Sequence, residues 1–357
     1  MTAGFTPGDA ISNFMLSCGR ILRQWGVRVN FYADHIASPY ETIAQHSRFY
    51  PANGSDLLWF HYSIYSDNAE IATTSPDFKI MDFHGISPPH LFTGQNPHLA
   101  TLCQQGIDLL PTLKDTFDAF VVHSSYTRDQ LINLGYAASK IHQIALCVDT
   151  ANFEQAKDFP LAEQLAQLNY LLFVGRIVPQ KDIMAMLRIF EQIHQFKPDM
   201  VLILVGSREQ TRAYQQQINK FIQQHHLQNH VLFTGQVNNH SLLATLFAQA
   251  QLYLVTSEWE SFCVPIVESL YFGVPAAVAN TPPLPEVVGP AGIVIDKTEP
   301  QAAAAQILAL LANGKQYKQL SETAVNWVKQ YTDQALAANM QALLIDQLGI
   351  DPAFCVP

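Results

Sequence analysis

From residue 171 onward, short apolar runs alternate with longer amphipathic stretches, and this alternation restricts the fold more than any other feature. The apolar runs occupy 171–174, 201–205, 231–234, 252–255, 276–279 and 292–295. Between them, apolar residues recur at helical spacing over 181–196, 210–225 and 241–249. Runs of four or five apolar residues bounded by Gly and polar positions read as strands, and the 3.6-residue period between them reads as helices. Strands separated by helices pair in parallel, as βαβ units. The first half carries the same pattern. A helix is expected over 9–25, where Ile11, Phe14, Met15, Cys18, Ile21, Leu22 and Trp25 share a face, Asp9 caps and Gly26 stops. Strands are expected at 27–32, 57–61, 79–83, 120–123 and 141–147. A doubly wound unit begins with a strand before its first helix. Only residues 1–5 are available, so that strand is short or the start is abbreviated.

At 357 residues the chain exceeds what one core supports, roughly 250–300 residues. The polar stretch 149–167, with Pro160, reads as a linker. Two domains are expected, 1–160 and 161–335, with helices over 300–311 and 321–331. A last helix over 336–348, within a segment 336–357, is expected to return to the first domain. The formal charge of -10, spread over both halves, argues against nucleic acid as a partner. It also weakens strong attraction to an anionic membrane, while leaving peripheral contact open. No apolar run approaches the roughly 20 residues of a span, and no leader pattern opens the chain. Cys18, Cys103, Cys147, Cys263 and Cys355 are scattered and include no C-x-x-C, which suits reduced thiols in the cytoplasm.

The segment 257–268 carries the chemistry. Glu260 and Glu268 flank what reads as a strand–loop–helix junction, with Pro265 in the first helical turn and Gly273-x-Pro275 beyond the end. Backbone N–H groups of Phe262, Cys263 and Val264 at such a helix start suit phosphate oxygens. Acidic residues near a helix start are commonly mere dipole partners; the flanking Phe262-x-x-Pro265 narrows the reading. Other strand ends carry Gly175-Arg176, Gly206 and Gly235-Gln236-Val237. Ligands of open parallel sheets bind off the carboxyl ends of strands, so these positions are expected to face one crevice. Arg176 and Lys181 would bring two positive charges to a diphosphate; the plainer alternative makes Lys181 a surface charge at a helix start. In the first half, His61 and His84 end strands. A lone histidine there is ordinarily structural, but His84 opens a Gly/Pro loop that also holds His90 and His98. H-E-x-x-H, zinc-type Cys/His spacing, a D-x-D pair, G-x-G-x-x-G and the P-loop signature are all absent from the sequence.

Together these residues resemble the donor-binding domain of the retaining family 4 glycosyltransferases (glycosyl transferases group 1) of the GT-B fold. The resemblance runs from 171 to 294. It rests on Phe173-Val174-Gly175-Arg176 with Lys181-Asp182, on Leu204-Val205-Gly206, and on Val231-Leu232-Phe233-Thr234-Gly235. It continues through Ser257-Glu258-Trp259-Glu260-Ser261-Phe262, Pro265 with Glu268, and Gly273-Val274-Pro275; Glu260 and Glu268 match the family's E-x7-E pair. In the first half, Gly8-Asp9-Ala10-Ile11 resembles the family's glycine-containing loop, and His84 sits where the family has its active-site histidine. Two departures are Ser261, where the family usually has Gly, and the abbreviated first strand.

The resemblance implies an α/β fold of GT-B type, two Rossmann-like domains facing each other across a deep crevice. It implies a UDP- or GDP-sugar as co-substrate, a glycan, glycolipid or other glycoconjugate as acceptor, and a role in polysaccharide biosynthesis. It implies no cofactor and no metal. Arg176 and Lys181 would neutralise the diphosphate, Glu268 would hold the ribose and Glu260 the transferred sugar. The main chain of Phe262, Cys263 and Val264 would hold sugar or phosphate oxygens, and that of Val237 would face the base. Gly8, Gly175 and Gly206 would belong to the donor-binding set, and His84 would meet the sugar near its reactive carbon. A nucleotide-sugar epimerase-like enzyme or a non-catalytic assembly protein on the same fold are the alternatives; the second would be expected to lack part of the Glu/Arg/Lys set.

Overall fold

The computed structural model describes residues 1–94, 96–148, 153, 159–208 and 212–350. Much of the expected linker at 149–167 and the expected helix start at 210 lie outside the described residues. The chain forms two compact units, Met1–Asp149 with Gln330–Pro357, and Thr150–Lys329. The exchange between them falls where Val148 N donates to Tyr331 O at 2.8 Å, a contact within the first unit. The sequence reading set the boundaries at 160 and 335 instead.

The first unit is built on seven strands: β1 (Thr2–Phe5), β2 (Phe31–Ile36), β3 (Ala44–His46), β4 (Leu57–Tyr62), β5 (Phe78–Phe83), β6 (Ala119–Val122) and β7 (Ile141–Gln143). Their order is β3-β2-β1-β4-β5-β6-β7 and each pairing is parallel. The helix Ala10–Gln24 follows β1, with Asp9 as its N-cap accepting from Ser12 N at 2.9 Å. Its Met15 packs with Phe5, Phe31, Ala33 and Ala44 in one core cluster. Burying a side chain such as Phe5 is worth about 2–3 kcal/mol.

Two strands differ from expectation. The strand expected at 27–32 begins at Phe31, because β1 pairs Thr2 with Ala33 and Phe5 with Ile36. Residues 27–30 precede the ladder, and Val29 O accepts from Arg23 Nη2 at 2.9 Å. The strand expected at 141–147 ends at Gln143, after which Ile144 N turns to Val122 O at 2.8 Å. At the far end of the chain, the helix Asp333–Gln341 runs into a π-helical turn, Ala342–Gln347. It is held to the first unit by Arg20 Nη2 on Asp333 Oδ2 at 2.6 Å and by buried Leu336 and Met340.

The second unit has six strands: β8 (Asn169–Val174), β9 (Met200–Val205), β10 (Val231–Gly235), β11 (Leu252–Val255), β12 (Ala276–Ala279) and β13 (Gly292–Ile295). Their order is β10-β9-β8-β11-β12-β13, again all parallel. The order reverses between β8 and β11, and a reversal of this kind opens a crevice at the trailing ends of the two strands. Among the described residues, no helix is long and apolar enough to cross a membrane.

Candidate active site

The trailing ends of β8, β9 and β10 finish in glycine, and the three glycines form a tight tier. Gly175 N donates to Val205 O and Gly206 N donates to Gly235 O, both at 2.9 Å. A β-carbon at Gly206, whose φ is +149°, would stand 1.9 Å from Gly175 O. Only glycine lets the two loops approach this closely. Arg176 follows directly with an exposed side chain, and it has no ion-pair partner among the described residues. Val237 lies in the loop past β10, partly exposed.

Between β8 and the helix Ile183–Phe196, the turn Pro179–Lys181 is followed by Asp182 in the left-handed region, φ +45°. This reversal interrupts the helix expected over 181–196. Lys181 Nζ lies 2.6 Å from Glu260 Oε1, which also accepts from Ser257 Oγ at 2.7 Å. Both partners are largely buried, their side chains 17% and 8% exposed. Lys181 is therefore not a solvated charge at a helix start. The loops are tied further by Glu258 N on Gln180 O at 2.8 Å and Gln180 Nε2 on Trp259 O at 3.1 Å. The second oxygen of Glu260 makes no hydrogen bond among the described residues.

The helix Val264–Tyr271 starts as expected, with Pro265 in its first turn, and Cys263 precedes it in the left-handed region at φ +86°. Burial raises the Cys263 thiol well above its ordinary pKa, so it is no thiolate nucleophile. Glu268 sits inside this helix with no hydrogen-bond or ion-pair partner among the described residues, and burial pushes its pKa up to about 7. The structure thus brings Lys181 and Glu260 together, and sets Cys263, Val264 and Glu268 on one helix start.

The first unit places His84 directly after β5, only 4% exposed. Its Nε2 shares a hydrogen bond with His61 Nδ1 at 3.0 Å and stands 3.4 Å from Asp82 Oδ1. His123 Nε2 lies 2.7 Å from the same carboxylate oxygen, and Trp59 Nε1 donates to Asp82 Oδ2 at 2.8 Å. The ring of Phe14 packs edge-on against all three imidazoles. Burial lowers the pKa of both His61 and His84 well below the ordinary histidine value. Burial alone would raise that of Asp82, but His123, His84 and the donated hydrogen bonds hold it low. His61, Asp82 and His84 are the one group of three among the described residues whose donor atoms could share a metal ion. The His61–His84 hydrogen bond already pairs the two facing nitrogens. Gly8 lies in the exposed loop before the first helix at φ +76°. A cavity of about 450 Å³, lined by Met1, Asn30, Tyr32, Asp56, Trp59 and His61 among others, also belongs to this unit; His84 and Gly8 are not among its lining residues.

Residues 157–327 match the family model described as glycosyl transferases group 1. This unit is therefore similar to that family over just under half of the chain. The O-antigen chain mannosyltransferase B of Escherichia coli is 28% identical over 240 residues, 65% of this chain and 61% of the relative. The N-acetyl-alpha-D-glucosaminyl L-malate synthase of Bacillus anthracis is 27% identical over 156 residues, 43% of this chain and 39% of the relative. The alignments thus span less than two thirds of either relative's length. Among solved structures, Anabaena Alr3699/HepE in complex with UDP-glucose superposes with a TM-score of 0.74 at 17% identity, covering 97% of this chain and 100% of that one. A glycosyltransferase from Rickettsia africae gives 0.75 at 14% identity, covering 97% of each chain. These likenesses establish the GT-B fold.

Within this unit, sequence reasoning missed Lys297. Its ammonium contacts Asp182 Oδ2 and Glu258 Oε1, both at 2.9 Å, and Thr256 O at 3.1 Å. In the first unit it missed Asp82 and His123. The available signal was shared position: His61, Asp82, His84 and His123 all lie at or next to the trailing end of a strand.

Proposed function

We propose that this chain is a retaining glycosyltransferase. It moves a sugar from a UDP- or GDP-sugar to a hydroxyl of a glycan, glycolipid or other glycoconjugate in polysaccharide biosynthesis, without a metal. The observation that carries the reading is the buried Lys181–Glu260–Ser257 constellation beside the exposed Arg176, at the trailing ends of β8 and β11. The match to the family model and the UDP-glucose bound by the similar HepE support it. A cytoplasmic setting belongs to the same proposal and is supported by the free thiols of Cys18, Cys103, Cys147 and Cys263.

When the bond from the sugar to the diphosphate breaks, negative charge grows on the departing phosphate and positive charge on the sugar carbon. Fixed donors aimed at the phosphate stabilise that state at little reorganisation cost. Arg176 and Lys181 supply the cations, and the N–H groups of Cys263 and Val264 supply neutral donors. The glycine tier lets the main chain close on the diphosphate. Glu260 accepts from a hydroxyl of the transferred sugar with its open oxygen, and Glu268 accepts from the ribose.

The test is a panel of UDP- and GDP-sugars, read as release of UDP or GDP with and without added acceptors. One donor is expected to turn over, with release abolished in Glu260→Ala. Absence of both binding and turnover across the panel would overturn the reading.

A further inference from the structure

Lys297 lies just past β13, in a turn fixed by Thr298 N and Thr298 Oγ1 on Asp296 Oδ1 at 2.9 and 2.7 Å. Its side chain is 13% exposed. An ammonium has three N–H donors, and the three acceptors here are Asp182 Oδ2, Glu258 Oε1 and Thr256 O. Asp182 belongs to the loop after β8, whereas Thr256 and Glu258 belong to the loop after β11. Asp182 adjoins Lys181, and Glu258 stands two positions before Glu260. One ammonium therefore ties together the two loops that carry the Lys181–Glu260 pair, and it touches neither member.

Two further facts make this contact more than a surface ion pair. Asp182 is a non-glycine residue at φ +45°, a conformation that persists only where surroundings enforce it. Lys297 holds one carboxylate oxygen, Ala185 N donates to the other at 3.1 Å, and Thr256 Oγ1 donates to the Asp182 carbonyl at 2.9 Å. The reversal thus fixed is what turns Lys181 toward Glu260. The second fact is charge. Without Lys297, the carboxylates of Asp182, Glu258 and Glu260 would compete for Lys181, because charges at a few ångströms in a poorly solvated site interact strongly.

We propose that Lys297 is a positioning residue of the donor site. It clamps the β8 and β11 loops and neutralises Asp182 and Glu258, so that Lys181 stays on Glu260 and its remaining charge, with that of Arg176, faces the diphosphate. The inference rests on the donor-site reading above.

A double-mutant cycle on the full chain tests it, with UDP and GDP affinity by calorimetry and donor turnover as the two readouts. Lys297→Met is expected to weaken binding of the preferred nucleotide about 10-fold and to slow turnover about 10- to 100-fold, the scale on which small misplacements act. In a Lys181→Met background, adding Lys297→Met should change neither value by more than about twofold, because residues that act through one another are not additive. Lys297→Arg should restore most of the loss. Should Lys297→Met fail to fold, Glu258→Gln removes one of the two carboxylate charges on the ammonium, at a half-exposed partner. A loss of about 2- to 5-fold is then expected, again absent in the Lys181→Met background. Multiplying effects of the Lys297 and Lys181 changes, or a Lys297→Met protein equal to the parent, would overturn the clamp alone. A parent protein that binds neither UDP nor GDP and turns over no donor would overturn the donor-site reading and the clamp with it.

Discussion

In the first unit, His61, Asp82, His84 and His123 gather at the trailing ends of β4, β5 and β6 and turn to one another. In the second unit, Arg176, Lys181, Glu260 and Glu268 stand at equivalent ends of β8 and β11, and only two of the four are paired. The first cluster is enclosed: its rings are buried and turned toward Asp82 and one another, although Asp82 Oδ1 and His123 Nε2, 2.7 Å apart, form no well-aligned hydrogen bond. The second is left open by an exposed guanidinium, a half-buried carboxyl and a carboxylate with a spare oxygen, the last two without a further partner among the described residues. Buried polar groups are costly unless satisfied. By exposure, the second cluster is open to a ligand and the first is enclosed.

The largest effects should come from the open cluster. Lys181→Ala and Glu260→Ala are each expected to cut donor turnover about 10³-fold, near 4 kcal/mol of barrier, while a cooperative melt is retained. Parent-like turnover in either variant would erase the contrast between the units.

Acid should separate the units next. His61 and His84 are held neutral in the fold, with pKa values well below those of an unfolded chain. The stability they contribute is present above pH 6.5 and is lost as pH falls toward their folded values. The slope reaches about 1.4 kcal/mol per pH unit for each ring. Hydrogen exchange by mass spectrometry at pH 6.5 and 5.5 should show peptides of β4 and β5 losing protection, and His61→Leu should flatten the change. Protection of β4 and β5 that increases with acid would break the closed-cluster reading.

Glu268 carries the opposite sign at smaller scale. Its pKa is raised from 4.5 to about 7 by burial, so its contribution to stability is fully present below pH 4.5 and is lost as pH rises through 7. The cost above pH 7 is at most about 3 kcal/mol, and less to the extent that the side chain reaches solvent. Glu268→Gln should therefore stabilise the protein by about 2 kcal/mol in urea unfolding at pH 8 and leave it unchanged at pH 4.5. It should also weaken donor binding by about 10-fold, the loss of one charged hydrogen bond. A variant stabilised at pH 8 that binds donor normally would keep the buried carboxyl but remove its ligand role.

The second unit was the more legible one because its strands are short apolar runs punctuated by Gly175, Gly206 and Gly235, whose positions follow from a backbone requirement. Pro265 and Gly273 likewise mark both ends of one helix. The Lys181–Glu260 pair could not be read, since its members are 79 positions apart and meet only through the reversal at Asp182. Lys297 is more distant still, 115 positions from Asp182. Asp82 was hidden for another reason: inside the apolar run 79–83 a single carboxylate reads as an interruption, and only the alignment of β4, β5 and β6 gives it partners. The late start of β2 was masked by Val27 and Val29, which carry strand-like alternation although the register with β1 begins beyond them.

The smallest expected effect is that of a chelator, and it tests the contrast most directly. A departing diphosphate needs positive charge, and two routes to it are open: side-chain cations or a bound divalent ion. Arg176 and Lys181 stand at the trailing end of β8 and can serve the first route. Among the described residues, the three that could together hold an ion, His61, Asp82 and His84, belong to the first unit, where two of the nitrogens already share a hydrogen bond. Donor turnover in excess chelator is therefore expected to stay within about twofold of the untreated rate, on the scale where no transition-state contact has been removed. Loss of turnover that added Mg²⁺ or Mn²⁺ restores would mean that the charge at the diphosphate comes from an ion. Arg176 and Lys181 would then be orienting groups, and the division between an open second unit and a closed first one would have to be redrawn.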